Sequence, residues 1–199
     1  MAGREGGYAS GRLRREQIIT AATELFARVG YRHATIVELA GAAGISRTGL
    51  LHHFGSKETL LKAVLERQDA VRVAGADADD TGLGALGALV ELARHNAERP
   101  RLVALFAALA AEASDPDHPA HEYFVARYRR TVGGIAAALR RAKVSGVLLP
   151  DVDPAGQAQA LVALIDGLQV QWLLSPSEVD MAGTLRTQLQ NVLSVPLPE

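Results

Sequence analysis

Residues 36–60, IVELAGAAGISRTGLLHHFGSKETL, constrain the fold more tightly than any other stretch, because they read as two short helices meeting at a glycine turn. Ile36, Leu39 and Ala40 recur at helical spacing, Gly44-Ile45-Ser46 interrupts them, and Leu50, Leu51 and Phe54 form a second apolar set. Thr35 followed by Glu38 has the form of a capping box, which fixes where the first helix starts. Gly44 stands where a left-handed backbone is wanted, a conformation that only glycine adopts cheaply. Ser46 can cap the second helix through its hydroxyl. Such a pair is a helix-turn-helix, whose second helix can lie in the DNA major groove.

The residues available on that second helix suit the task. Arg47 and Thr48 occupy its N-terminal end, the part that meets base edges in this motif. Arginine can bridge guanine O6 and N7, and threonine can donate to a base or touch a thymine methyl. Gly49 leaves room for close approach. His52, His53 and Lys57 lie further along as donors for phosphates, and Ser56 is placed to cap the next helix. The same pattern also describes a hairpin that only packs, with its polar residues turned to solvent.

From Arg14-Arg15-Glu16-Gln17-Ile18-Ile19 the chain continues through Ala21-Ala22, Leu25-Phe26, Gly30-Tyr31, Thr35-Ile36, Ile45-Ser46, Leu50 and Phe54. It then runs to Ser56-Lys57-Glu58 and Leu60-Leu61. This ordered series resembles the DNA-binding head of the TetR family, the tetracycline-repressor-type regulators. The resemblance implies a repressor that binds double-stranded DNA at an inverted-repeat operator and is released by a small-molecule effector. It assigns DNA contact to Thr35, Ser46, Arg47, Thr48, Gly49, Leu51, His52, His53 and Lys57. One position departs from the pattern. The family usually has a phosphate-contacting tyrosine where this chain has Leu51, which cannot donate, and this leaves His52 or His53 to replace it.

Composition agrees with a helical protein. Nearly half of the 199 residues are apolar but only 5% are aromatic, and period-two runs of β-branched residues are scarce. The absence of cysteine excludes disulfides, thiolate zinc sites and a cysteine nucleophile. No apolar run nears the roughly twenty residues needed to span a bilayer. The first ten residues lack the apolar core of a signal peptide, so a cytoplasmic protein that does not enter membranes is expected. Net charge is −1, but residues 1–60 carry eight Lys/Arg against five Asp/Glu and the rest thirteen against seventeen. A basic head on an acidic body suits a DNA reader joined to a separate sensing domain.

These signals predict an all-α chain of about nine helices, divided into a disordered arm (1–11), a helix-turn-helix head (12–56), a connecting helix (57–74) and a helical ligand-binding and dimerisation domain (75–199). Arg12, Arg14 and Arg15 either solvate the start of helix 1, expected from Arg12 to Val29, or form an arm for the minor groove. Residues 75–80 read as a linker. Five helices follow: Leu83–Glu98, Arg101–Ala113, Pro119–Lys143, Pro154–Leu174, and one capped by Ser177 with Asp180 that runs to Leu193. The last two resemble the family's dimerisation pair. Their stripes, Leu161, Leu164, Ile165 and Leu168 on one and Leu185 and Leu189 on the other, are the expected homodimer face.

The helices between Leu83 and Lys143 would wrap a mostly apolar ligand cavity in this family. Phe106, Leu109 and Tyr128, with Gln169 and Trp172 from the following helix, are the expected lining. Asp166-Gly167 reads as an exposed acid beside a helix-packing glycine. The segment Asp115-Pro-Asp-His-Pro-Ala-His-Glu122 gathers histidine and carboxylate but matches no zinc motif, and acids at a helix start complement its dipole without any metal. There is no nucleophile elbow, phosphate-cradling loop or dinucleotide fingerprint. No catalytic residue, cofactor or metal is therefore expected. Two rival classes are an enzyme that uses the scattered histidines, which would turn over a substrate without binding DNA, and a protein-interaction module, which would show no salt-dependent DNA affinity.

Overall fold

The computed structural model describes residues 3–73 and 81–198, with side chains described from 11 to 68 and from 81 to 198. Among these residues it contains nine α-helices: α1 (Gly3–Val29), α2 (Ile36–Ala42), α3 (Arg47–Phe54), α4 (Lys57–Val73), α5 (Leu83–Ala97), α6 (Pro100–Glu112), α7 (His121–Val144), α8 (Pro154–Leu174) and α9 (Met181–Gln190). The expected linker at 75–80 lies outside the described residues.

The head forms as its sequence signals require. Thr35 Oγ1 accepts from Glu38 N at 3.2 Å while Glu38 Oε2 accepts from Thr35 N at 2.9 Å, which completes the capping box. The Thr35 N–H and the Thr35 hydroxyl, both donating to Glu38 Oε2, also hold the Glu38 carboxyl below its usual pKa. Gly44, at φ 63°, turns the chain out of α2, and Ser46 Oγ accepts from Gly49 N at 3.0 Å to start α3. Ser56 caps α4 through Thr59 N at 3.2 Å.

Two apolar clusters organise the molecule. One joins Ile18, Phe26, Leu39, Leu50, Phe54, Leu60 and Leu65 of the head to Leu105 and Leu109 of α6 and Phe124 of α7. The other unites α5, α7, α8 and α9 around Leu86, Leu139, Leu161, Trp172 and Leu185. Half-buried Tyr128 packs against both. The head therefore has no core of its own, since α6 supplies one wall of it. Gly82, at φ 75°, admits the close approach of α5 to α7, because a Cβ there would collide with the Ala138 carbonyl.

Several boundaries differ from expectation. Helix α1 begins at Gly3 rather than Arg12, so residues 3–11 extend a helix where a disordered arm was expected. Extending a formed helix costs far less than nucleating one, and glycine content alone misjudges this. The cap of α9 is Asp180, whose Oδ1 accepts from Gly183 N at 2.9 Å, and Ser177 lies outside the helix. Helix α9 ends at Gln190, and the chain beyond it buries Leu193 and Leu197. Pro119 sits in a turn that precedes α7 rather than opening the helix.

Candidate DNA-binding head and ligand cavity

Helix α3 shows two unlike sides. Leu50 and Phe54 are buried against α1 and α4, while Arg47, Thr48 and His52 are exposed and Leu51 and His53 partly so. Positions 47, 48, 51 and 52 share one side by helical spacing. Ser46 and Thr35 serve as caps. At Gly49 a Cβ would stand 3.3 Å from Ser46 Oγ, so the missing side chain makes room for the cap.

Most other cations of the head are engaged internally. Arg14 Nη2 donates to the Gly44 carbonyl at 3.1 Å, and Arg15 Nη1 donates to the His53 carbonyl at 3.3 Å. The Arg15 guanidinium also lies 4.2 Å from the centre of the Phe54 ring. These two arginines bolt α1 to the carbonyl ends of α2 and α3, and they lie on a helix rather than an arm. Lys57, expected to reach phosphate, donates instead to the Tyr31 and Ala34 carbonyls, both at 3.0 Å, and its ammonium sits 4.4 Å from the Tyr31 ring centre. Sequence spacing placed Lys57 correctly on α4 but could not show that the α1–α2 loop folds back over it. The Tyr31 hydroxyl donates to Glu58 Oε1 at 3.3 Å, and burial together with that carboxylate raises the phenol pKa.

In the body, α5, α6, α7 and α8 enclose a cavity of about 130 Å³. Phe106, Phe124, Arg127, Tyr128, Asp166 and Gln169 line it, along with aliphatic groups that include Ile165 and Val170. Phe106 and Phe124 meet edge to face with ring centres 6.3 Å apart. Of the expected lining, Phe106, Tyr128 and Gln169 are present. Leu109 is not, because it faces the head and fills the shared core there, and Trp172 is buried in the cluster that unites α5, α7, α8 and α9.

Two lining residues that sequence reasoning missed are charged. Asp166 is no exposed acid. Tyr128 Oη donates to its Oδ2 at 2.8 Å, and burial raises the carboxyl's pKa despite that hydrogen bond and the nearby Arg127. The Tyr128 phenol is itself pushed up to about 12 by burial and by Asp166. Arg127 lies over the Phe106 ring, 5.4 Å from its centre. The available signal was a lone acid interrupting an apolar helix in phase with Ile165 and Gln169.

Comparison with known proteins follows the same division. Residues 18–64 match the family described as bacterial regulatory proteins, tetR family, and residues 85–194 match the BetI-type transcriptional repressor C-terminal domain. The chain belongs to the TetR family. A curated relative, the HTH-type transcriptional regulator BetI 2 of Chromohalobacter salexigens, is 29% identical over 178 residues, which cover 85% of this chain and 82% of that protein. The fold is shared with SmeT, the repressor of the Stenotrophomonas maltophilia multidrug efflux pump SmeDEF, in its triclosan complex. That match has a TM-score of 0.81 and 24% identity and covers 94% of this chain and 98% of SmeT. A Saccharomonospora viridis transcriptional regulator solved with choline matches at TM-score 0.76 and 25% identity, covering 91% and 98% of the two chains. This TetR-family protein is thus a DNA-binding transcriptional regulator, a non-enzymatic role. No helix among the described residues is long and apolar enough to cross a membrane.

Within this TetR-family chain the expected dimer stripe is mostly its own core. Leu161, Leu168, Leu185 and Leu189 are buried in the single chain, and Leu164 and Ile165 are half-buried against the same cluster. Helix α8 is apolar on two sides, so periodicity alone could not say which side the chain's own core would take. The side left outward carries Ala163, Gly167, Val170 and Leu174, at spacings of four, three and four. Val170 is 49% exposed and Leu174 80%.

The Asp115–Glu122 segment belongs to the seam between body and head. His118, with its ring packed edge-on to Tyr31 of the head, has its Nε2 3.5 Å from Glu112 Oε2. Glu112 also accepts from Arg32 Nε at 3.2 Å. A second joint comes from α7, where Tyr123 Oη donates to the Leu65 carbonyl of α4 at 3.1 Å.

Proposed function

We propose that this protein is a dimeric repressor that reads an inverted-repeat operator through Arg47 and Thr48 and is released when a small, largely apolar molecule enters the α5–α8 cavity. The observation that carries this reading is that the cavity touches the head through rigid side chains. Phe124 lines the cavity, packs edge to face on Tyr123 at 5.2 Å, and Tyr123 holds α4 by its hydrogen bond to Leu65. A ligand that moves Phe124 therefore acts on α4, and the joint of Glu112 and His118 with Arg32 and Tyr31 carries the same movement to the α1–α2 loop. The triclosan and choline complexes of SmeT and the S. viridis regulator support a small-molecule effector.

Thr35, Ser46 and Gly49 shape the reading helix. Leu51 offers apolar contact to a thymine methyl, and His52 or His53 takes the phosphate contact that a tyrosine would make. Two copies pair through the outward side of α8, with Ala163 and Gly167 allowing close approach and Val170 and Leu174 burying apolar surface. Their reading helices then face half-sites centred about one DNA turn apart, roughly 34–36 Å or a multiple of it.

The test is selection of bound fragments from random DNA, followed by titration of the selected site. Arg47→Ala is expected to cost roughly 1–3 kcal/mol on that site and to relax preference at one base position. Equal losses on selected and random DNA would remove Arg47 from base readout. Effector and operator must each weaken the other's binding by the same factor, typically about 5–150-fold. An effector bound with unchanged affinity in saturating operator DNA would overturn the release mechanism.

A further inference from the structure

The fixed cations beside the reading helix are held internally. Arg14 and Arg15 donate to the Gly44 and His53 carbonyls, and Lys57 donates to the Tyr31 and Ala34 carbonyls. Arg32, in the α1–α2 loop, is paired with Glu112 of the body at 3.2 Å. What the second half of α3 offers to solvent is the pair His52, exposed, and His53, half-buried. Among the described residues neither imidazole has a hydrogen bond or an ion pair, and the two rings meet edge to face with centres 5.8 Å apart. The carboxylates on the elements packed against α3 are committed to other partners. Glu16 of α1 is paired with Arg67 of α4 at 3.2 Å, Glu38 of α2 closes the capping box, and Glu58 of α4 accepts from Tyr31. Arg12 on α1 and Arg47 on α3 remain as exposed fixed cations, and His33 in the α1–α2 loop is a further exposed imidazole.

We propose that the His52–His53 pair makes operator binding proton-linked: the reading helix takes up a proton as it meets the phosphates, and the protein releases its operator as pH rises. The linkage rests on the reading of α3 as the operator-contacting helix. Imidazole is the side chain whose charge ordinarily changes between about pH 5 and 8. A phosphate beside it favours its protonated form, because the opposite charges attract. A neutral imidazole can still donate one N–H to a phosphate, but a hydrogen bond assisted by charge is roughly twice as strong. The closeness of the rings sets the stoichiometry. Two imidazolium charges with ring centres 5.8 Å apart repel each other, so roughly one proton per head, or two per dimer, is the expected uptake. The complex then holds more protons than its free partners, which makes affinity fall with rising pH. Arginine and lysine in the same place would give no such dependence, since both stay charged throughout this range.

The experiment uses the full-length protein and its selected operator duplex, with fluorescence anisotropy of the labelled DNA read from pH 6 to 8 at constant ionic strength. Operator affinity is expected to fall about tenfold or more across that range. The log–log salt slope is expected to be steeper by roughly one per head at pH 6 than at pH 8, because each imidazolium neutralises one more phosphate. His52→Gln combined with His53→Gln keeps neutral donors and is expected to bind no more tightly at pH 6 than at pH 8. His52→Arg combined with His53→Arg fixes the charge and is expected to bind at pH 8 more tightly than the unchanged protein, with the pH dependence gone. A gain in affinity cannot arise from loss of folding, so the arginine variant guards the glutamine one. His95→Gln, on α5 of the body, is expected to leave the pH dependence as it is. The proposal is overturned if affinity changes by less than about twofold from pH 6 to 8. It is equally overturned if the pH dependence survives in the glutamine variant or disappears with His95→Gln, since the proton then sits elsewhere. Failure to bind any selected duplex at any pH would instead remove the operator-reading role of α3, and the linkage with it.

Discussion

The helices that read and hold differ from α6 and α7, two walls of the cavity, in how their ends are secured. Helices α2, α3 and α4 start on Thr35, Ser46 and Ser56, and α8 and α9 start on Asp153 and Asp180, each accepting from backbone N–H groups. Helices α6 and α7 start at Arg99 and Ala120 with no side-chain cap, whereas in front of α5 the Thr81 hydroxyl oxygen accepts from Leu83 N at 3.3 Å. A missing cap leaves first-turn donors to water and removes typically about 1 kcal/mol of local stability. Head and outer scaffold are thus fixed at their ends, while α6 and α7, two of the cavity walls, can shift with less loss. The difference teaches where a ligand can do work: on α6 and α7, whose shift reaches the head because α6 is one wall of its core.

The largest expected effect tests α8 as fixed scaffold. Leu168→Asp puts an unpaired charge into the α5–α9 core and is expected to cost more than about 3 kcal/mol, seen as loss of the thermal transition. Leu174→Asp, six residues on but outward, is expected to leave the secondary structure intact and to lower only the sedimenting mass. A folded, dimeric Leu174→Asp protein would move the interface off this face.

Next in size is the staple inside the head. Lys57→Met removes the ammonium from the Tyr31 and Ala34 carbonyls and is expected to destabilise the protein by roughly 1–3 kcal/mol. Because that charge is engaged internally, the salt slope of DNA binding is expected to stay unchanged. A slope flattened by about one would instead return Lys57 to phosphate contact.

Hydrogen exchange addresses the capped–uncapped contrast directly. First-turn amides of α6 and α7 are expected to exchange faster than those of α3 and α8. Ser46→Ala is expected to cost about 1 kcal/mol and to bring the start of α3 toward the α6 rate. Uniform exchange across all these termini would erase the distinction.

The smallest effect is a pH dependence. Asp166 has a raised pKa in the folded chain, chiefly through burial, so the folded form takes up a proton at a higher pH than the unfolded form. Its contribution to stability is fully present below the unfolded carboxylate value and is lost as pH rises through the folded one. Thermal midpoints measured from pH 4 to 8 should therefore show a decline with rising pH that Asp166→Asn flattens.

Local chemistry explains why much of the head was legible beforehand. The capping box, the turn glycine and the serine caps act within three or four residues of chain, so their spacing carries the geometry. The cavity was half legible. Phe106, Tyr128 and Gln169 were found because large or polar side chains on inner helix faces have few other places to go. Leu109 and Trp172 were misplaced because a buried residue on α6 or α8 has two cores to choose between, and periodicity gives a face without naming what lies opposite. Asp166 was read as an exposed acid and Arg127 was passed over, because charged residues are ordinarily solvated.

Sequence alone determined the all-helical fold, the place of the helix-turn-helix and the exposed Arg47–Thr48 edge, since each follows from contacts within one turn of helix or its cap. Only the tertiary structure decided which leucine stripe of α8 faces the chain's own core. It also decided that Lys57 clamps a loop, that His118 rests on Tyr31, and that Asp166 and Arg127 meet at one cavity. These outcomes join residues from 23 to more than 80 positions apart, and no local pattern encodes which of two equally apolar or equally charged partners a folded chain will bring opposite.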